Sequence, residues 1–375
     1  MSKENVLFIS HRIPFPPNKG DKIRSYHILR YLAKIYDIDC VTFYDKSGDK
    51  KYIADLEMVC NSVNAFYLNK WISLFFGGLW FFLGKSISAG CFYNSHMAKV
   101  INKLLVGKNY KFILCYSSQI AFYVKNSTGP KIIDFVDVDS DKWKQYAVHK
   151  KFPMNLLYNI EAKRLAKYED DIWSSFTLSF LSTERERELF CRNRPSSKVC
   201  TFGNGVDHSY FSPISCKREK MLIFTGAMDY FPNIDAVVWF ANRVLPEVVK
   251  VVPDVQFYIV GSNPGPVVQK LAGPNVVVTG FVDDIRTYIA KAALAVYPLR
   301  IARGIQNKIL EAMSMGLPVI IPDSLRASVE GEWPEGVKIY KDENECIGMI
   351  KKILQKFSPD NRLLDTLRNY ILMNR

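Results

Sequence analysis

Along the chain, short runs of apolar residues alternate with longer stretches in which apolar positions recur every three or four residues. The short runs predict strands and the longer stretches predict helices. In the first half, strands are expected over 6–10, 39–43, 63–68, 112–116, 131–135, 178–181 and 198–201, and helices over 22–36, 51–59, 156–173 and 184–190. Residues 203–220, GNGVDHSYFSPISCKREK, break this rhythm with glycine, proline, serine and mixed charge, which is linker chemistry. The alternation then restarts, with strands over 222–225, 255–260, 276–279, 294–297 and 319–321, and helices over 234–249, 284–291 and 305–315. Strands alternating with helices imply right-handed βαβ units and parallel sheets. The expected architecture is therefore α/β: two Rossmann-like domains, 1–202 and 221–358, joined by 203–220. A C-terminal helix is expected over 359–375, with the first domain as its candidate packing partner. Ligands of such sheets bind beyond the carboxyl ends of the strands, so the expected site lies in a cleft between facing domains.

Composition narrows the class of partner. The 375 residues are 48% hydrophobic and 23% charged, which excludes a disordered or fibrous chain. The formal charge of +13 favours polyanionic company: nucleic acid, anionic lipid or phosphorylated small molecules. Basic residues are dispersed and no nucleic-acid-binding motif occurs, so nucleic acid is not expected. The eight cysteines form no C-x-x-C pair and no zinc spacing. Several, including Cys40, Cys115 and Cys200, lie in strand-like runs and read as buried thiols of a reducing cytoplasm. The apolar run after the N-terminus is too short for a signal peptide and reads as a first strand. Residues 71–83, WISLFFGGLWFFL, are bracketed by Lys70 and Lys85. Thirteen residues cannot span a bilayer as a helix, so this segment is either a core helix or one lying in the headgroup layer of an anionic membrane.

Candidate chemistry concentrates in 297–323, YPLRIARGIQNKILEAMSMGLPVIIPD. A strand ends near Pro298, a loop carries Arg300, Arg303 and Gly304, and a helix starts at Ile305 and Gln306. Glycine at a helix entrance admits a ligand close to the backbone, and the free N–H groups with the positive end of the helix dipole form an anion site. Gly304, Lys308 and Glu311 share one helix face. A phosphate at the helix start would leave Glu311 further along that face, where a carboxylate can accept two hydroxyl hydrogen bonds from a ribose diol. The alternative is an ordinary surface ion pair between Lys308 and Glu311.

The pattern Gly304, Lys308, Glu311, Ala312, Met313, Gly316, Pro318, Val319 resembles the donor-site signature of family 4 glycosyltransferases of the GT-B fold. Asn204-Gly205-Val206-Asp207, with Phe211 and Pro213, is similar to that family's entry into its second domain. Phe224-Thr225-Gly226 and Ile259-Val260-Gly261 end successive strands, and Gly280-Phe281-Val282 resembles the loop whose backbone reads the nucleobase. In the first half, RIPFPPNKGDKIRS (12–25) and DFVDVDS (134–140) resemble sugar transferases associated with exosortase and exopolysaccharide gene clusters. The resemblance implies a transferase, retaining at the anomeric carbon, that moves a sugar from a nucleotide diphosphate sugar to a glycan or polyprenyl-linked acceptor. It implies no cofactor. The expected place is the cytoplasm, with peripheral contact at the inner face of an anionic membrane.

Residue by residue, the resemblance implies catalytic parts for Asp137, Arg303 and Lys308. Gly226, Arg300, Gly304, Ile305 and Gln306 would meet the diphosphate, Glu311 the ribose, and Phe281 and Val282 the base. Gly20, with Lys19 and Arg24, would close the phosphate side from the first domain. The chain departs from the family at three places. Arg303 stands where the first of two glutamates is usual, the one that normally contacts the donor sugar. Ala227 follows Gly226, and Pro232-Asn233 stand where a lysine is usual; Arg300, Arg303 and Lys308 are the candidate replacements for that charge. The family's N-domain histidine lacks a counterpart, and Asp137 is assigned its place.

Asp137-Val138-Asp139 also reads as D-x-D, but two carboxylates need further oxygen ligands to hold a metal, and no metal is expected. The bland reading of this segment is a helix cap at Asp139 or Ser140. The histidines at 11, 27, 96, 149 and 208 form no H-E-x-x-H, and neither a G-x-S-x-G elbow nor a P-loop occurs. Two rival functions are a GT-B nucleotide-sugar epimerase and a non-catalytic, membrane-associated GT-B partner protein.

Overall fold

In a computed structural model the chain folds as two compact units, residues 1–202 and 203–375. The described residues are 3–17, 20–148, 150–301, 306–328, 332–357 and 362–374.

The first unit is built on seven parallel strands: β1 (Asn5–Ser10), β2 (Asp37–Tyr44), β3 (Ser62–Tyr67), β4 (Phe112–Tyr116), β5 (Lys131–Val136), β6 (Leu178–Leu181) and β7 (Val199–Thr201). Their order is β3-β2-β1-β4-β5-β6-β7. Alternation decides which face each side chain joins. Leu7 and Ile9 of β1 enter one core with Val41, Phe43, Ile113 and Cys115. Val6 and Phe8 enter the opposite core with Ile38, Cys40, Leu114 and Tyr116. Both faces are covered, which is why these strands read as continuous apolar runs. Burying each such side chain contributes ~1.5–3 kcal/mol.

The second unit has six parallel strands: β8 (Met221–Thr225), β9 (Gln256–Val260), β10 (Val276–Gly280), β11 (Leu294–Val296), β12 (Val319–Pro322) and β13 (Val337–Tyr340), in the order β10-β9-β8-β11-β12-β13. The C-terminal helix Arg362–Asn374 packs within this unit, where Leu367 and Ile371 are core residues; the first domain was the expected partner.

Three further expectations need correction, and one helix was not expected. The helix expected over 234–249 is interrupted: Phe231–Trp239 and Leu245–Val249 flank a π turn at Phe240–Val244. Pro246 lacks an N–H and its ring crowds the carbonyl four residues back, which a π turn relieves. Over 51–59 a 3-10 turn, Ser47–Tyr52, leads into a short helix, Ile53–Glu57. Cys200 is exposed, on β7 at the edge of the sheet. The helix Ser95–Gly107, unexpected from periodicity, is capped by Asn94, whose side chain accepts from the N–H groups of His96 and Met97.

Candidate active site

In each sheet the chain reverses direction across one strand pair, and that switch point opens a crevice at the carboxyl ends. In the second unit it lies between β8 and β11. Three glycines end the adjacent strands β8, β9 and β10. Gly226 has φ +147°, Gly261 +156° and Gly280 +72°. The N–H of Gly226 donates to Val260 O at 3.0 Å, and that of Gly261 donates to Gly280 O at 3.2 Å. A Cβ on Gly261 would lie 1.8 Å from Gly226 O, so no other residue fits. The result is a bare backbone shelf.

Lys308 stands over this shelf from the helix Asn307–Ser314. A Cβ on Gly226 would come within 3.0 Å of its Nζ and 2.8 Å of Asn233 Nδ2. Lys308 Nζ donates to Asn233 Oδ1 at 2.6 Å, and Asn233 Nδ2 donates to Ala227 O at 2.8 Å. Below the ammonium lie the rings of Phe224 and Tyr297, at 4.5 and 5.8 Å, and Tyr297 OH is hydrogen-bonded to Thr225 Oγ1 at 2.9 Å. Asn233 is thus the partner that periodicity missed. Its amide oxygen is the acceptor that holds the Lys308 ammonium in place.

Among the described residues no ion pair joins Lys308 to a carboxylate, so the surface-pair alternative with Glu311 is not formed. Burial pushes Lys308 down to about 7, against the pull of Glu311. Burial likewise pushes Glu311 up to about 7, against the pull of Lys308.

The other predicted donor-side residues fall in three groups. Arg303, Gly304 and Ile305, like Lys19 of the first unit, lie outside the described residues. Gln306 precedes the helix in extended conformation and gives it no side-chain cap. Arg300 is not a free charge: it makes a two-pronged contact to Asp235, at 2.5 and 3.0 Å. At the end of β10, Phe281 projects into solvent and Val282 packs against the core. The linker is tied to the same helix, since Ser314 Oγ donates to Phe211 O at 2.6 Å.

In the first unit the switch point lies between β1 and β4. His11, directly after β1, stacks on Tyr116 at the end of β4, with ring centroids 5.9 Å apart. Burial lowers the His11 pKa, only partly countered by Asp21, whose Oδ2 lies 3.7 Å from Nε2. Asp137 follows β5 on a strained turn. Its N–H donates to Phe135 O at 2.9 Å across Val136, whose φ is +67°. Turns of this kind are rare, and a β-branched residue at positive φ is an outlier. Ser182 Oγ donates to Asp137 Oδ1 at 2.8 Å, and Lys142 Nζ lies 2.7 Å from Asp137 Oδ2 and 3.1 Å from Asp139 Oδ1. The D-x-D pair therefore shares a lysine. Among the described residues no cluster of three or more His, Cys, Asp or Glu could hold a metal ion. The helix Asp139–Val148 begins at the second aspartate, and Glu169 accepts from both N and Oγ of Ser140.

Arg24 is buried, its Nε donating to Asp134 Oδ2 at 2.7 Å. Gly20 opens the helix Gly20–Ile35, and a Cβ there would meet nothing within 4 Å. Packing does not require glycine at that position.

Residues 219–356 match the family described as Glycosyl transferases group 1. A 44.6 kDa protein encoded in the cps region of Klebsiella pneumoniae is 21% identical over 329 residues, covering 82% of this chain and 80% of that one. Sucrose-phosphate synthase from Thermosynechococcus elongatus superposes with a TM-score of 0.68 at 14% identity, covering 99% of this chain and 95% of that one. TarM superposes with a TM-score of 0.67 at 14% identity over 100% and 96% of the two chains. Anabaena HepE, solved in complex with UDP, gives 0.65 at 14% identity over 99% and 95%. The fold is GT-B, and the second unit carries a glycosyl transferases group 1 domain.

Proposed function

We propose that this GT-B chain is a retaining glycosyltransferase. It moves a hexose-like sugar from a nucleoside diphosphate sugar to a glycan or lipid-linked acceptor during assembly of a surface polysaccharide. The observation that carries this reading is Lys308 held by Asn233 directly above the Gly226 shelf, at the switch point of the second sheet. Transfer requires charge to build on the leaving diphosphate while an oxocarbenium-like sugar forms, and fixed donors aimed at that charge lower the barrier. The shelf admits a diphosphate to within reach of backbone and ammonium. Bringing a dianion beside Lys308 raises its pKa from about 7, so donor binding draws a proton onto the lysine.

Glu311, on the same helix, is assigned the ribose hydroxyls. The Gly280–Val282 turn at the end of β10 is assigned the base. Arg303 and Gly304 are assigned the diphosphate. Asp137 is the first unit's candidate for the sugar or the acceptor hydroxyl, and its strained, doubly held carboxylate supports that choice. The UDP complex of Anabaena HepE and the cps-region location of the Klebsiella relative support the nucleotide donor and the polysaccharide role.

The test is calorimetric titration with UDP and GDP, followed by incubation with nucleotide sugars and membrane extracts. One nucleoside diphosphate should bind, and its sugar should pass to an extractable acceptor. Failure of every nucleoside diphosphate to bind, or epimerisation of the donor without acceptor, would overturn the assignment.

A further inference from the structure

The segment 71–83 forms a helix, Lys70–Phe82, capped by Asn69, whose side chain accepts from the N–H groups of Trp71 and Ile72. One side of this helix is fastened to the first unit. Ser73 Oγ donates to Cys91 O at 2.7 Å. Gly77 sits so close to the short helix Ile87–Gly90 that a Cβ would meet Cys91 Sγ at 2.6 Å, and a Cβ on Gly90 would meet Trp80 at 2.7 Å. Phe76 and Trp80 pack on Tyr93, and Trp80 on Phe122. Arg164 donates to Phe81 O at 2.6 Å, satisfying a terminal carbonyl, and stacks on the Phe81 ring.

Positions 73, 76, 77 and 80 are thus the inward face. The outward face carries Trp71, Ile72, Leu74, Phe75, Leu79 and Phe82 and no polar side chain; Trp71, Phe75 and Phe82 are 77%, 66% and 88% exposed. A helix apolar on all sides belongs in an apolar medium, and here only half of it has one.

Charge identifies what covers the other half. From Met58 to Ile133 the chain carries eight lysines and no aspartate or glutamate. Lys70 and Lys85 flank the helix, and Lys99 and Lys103 are exposed on the helix Ser95–Gly107. None of these four joins an ion pair among the described residues. A second copy of the chain would bring the same unbalanced positive surface and be repelled. An anionic bilayer offers hydrocarbon for the aromatic face and phosphate for the lysines. No helix among the described residues is long and apolar enough to cross a membrane, so the contact is one of lying in the interface.

We infer that the outward face of the Lys70–Phe82 helix docks this protein on an anionic lipid surface, its aromatic side chains inserted among the acyl chains and its flanking lysines at the phosphates. The inference stands apart from the transferase reading, because vesicle binding needs no substrate.

Sedimentation with phosphatidylcholine–phosphatidylglycerol vesicles tests it, with pure phosphatidylcholine vesicles as the comparison. The wild-type chain should bind the anionic vesicles and bind the neutral ones far more weakly. Trp71→Ser, Phe75→Ser and Phe82→Ser together should lower partitioning at least about a hundredfold, with melting temperature unchanged because all three side chains are exposed. Quenching by acyl-brominated lipid provides a measurement on the unaltered chain, and Trp71→Phe should remove most of it. Three results would overturn the inference: a wild-type chain that ignores anionic vesicles, a triple variant that binds as well as wild type, or self-association through this face in place of lipid binding.

Discussion

Replacing Lys308 by methionine separates stability from ligand binding, because the two effects run in opposite directions. Methionine keeps the length of the side chain and removes the charge. The shift of Lys308 from 10.5 to about 7 corresponds to at most ~5 kcal/mol at 1.36 kcal/mol per unit, and partial exposure screens this to ~1–2 kcal/mol. Removing the ammonium relieves that cost but leaves Asn233 Oδ1, now 2.6 Å from Nζ, without its donor, at ~1–2 kcal/mol. The two offset, so Lys308→Met should melt within a few degrees of wild type. Nucleoside diphosphate binding should suffer instead. Losing one charge-assisted hydrogen bond costs ~1.5–3 kcal/mol, or about 10- to 150-fold in Kd. Titration in buffers of different ionisation enthalpy adds a second signature. At about pH 8, where Glu311 is already ionised, the wild type should take up close to one proton on binding, and the variant should take up none. A folded Lys308→Met whose Kd for UDP and GDP stays within about threefold of wild type would refute the argument. So would a collapse in stability, which would make Lys308 a packing residue.

The remaining predictions concern the turns and the buried carboxylates. Gly226→Ala places a methyl 2.8 Å from Asn233 Nδ2 and 3.0 Å from Lys308 Nζ at φ +147°, so it should cost ~1–3 kcal/mol in denaturant unfolding and weaken nucleotide binding as well. Val136→Gly relieves a β-branched residue at φ +67°. Stability should hold or rise by ~1 kcal/mol, while sugar transfer falls about tenfold as the turn that aims Asp137 loosens; a large loss of stability would contradict the strain. Burial raises the Glu169 pKa from 4.5 to about 7, so its contribution is full at low pH and is lost as pH rises between those values. Glu169→Gln should therefore gain up to ~3 kcal/mol on wild type between about pH 4 and pH 8, measured by urea unfolding across that range.

Much of the fold was legible along the chain. Parallel strands buried on both faces leave uninterrupted apolar runs, and β1, β4, β5 and β6 fall within a residue of their expected places. Two elements between 323 and 358 were not legible: β13, Val337–Tyr340, is four residues long, and the helix Glu343–Gln355 follows it with its cap at Asp342. The site was legible in part. Lys308 could be named from spacing, and Gly226 from the family resemblance. The bond between Asn233 and Lys308 could not be foreseen, because an asparagine in an apolar helix carries no periodic signal until its amide is seen between Ala227 O and Lys308 Nζ.

Local chemistry alone dictated that glycines end β8, β9 and β10, that a lysine lies at the start of the helix after β11, and that 71–83 is apolar but for Ser73. Which charges meet which partners was decided only when distant segments packed. Arg300 is held by Asp235, Arg24 by Asp134, and Asp137 by Lys142, while among the described residues Lys308 meets an amide oxygen and two aromatic faces. Packing likewise turned Trp80 inward and Trp71 outward on one helix. Spacing assigns a residue to a face, but burial and charge pairing depend on what the rest of the chain brings to that face, and those neighbours lie tens of residues away.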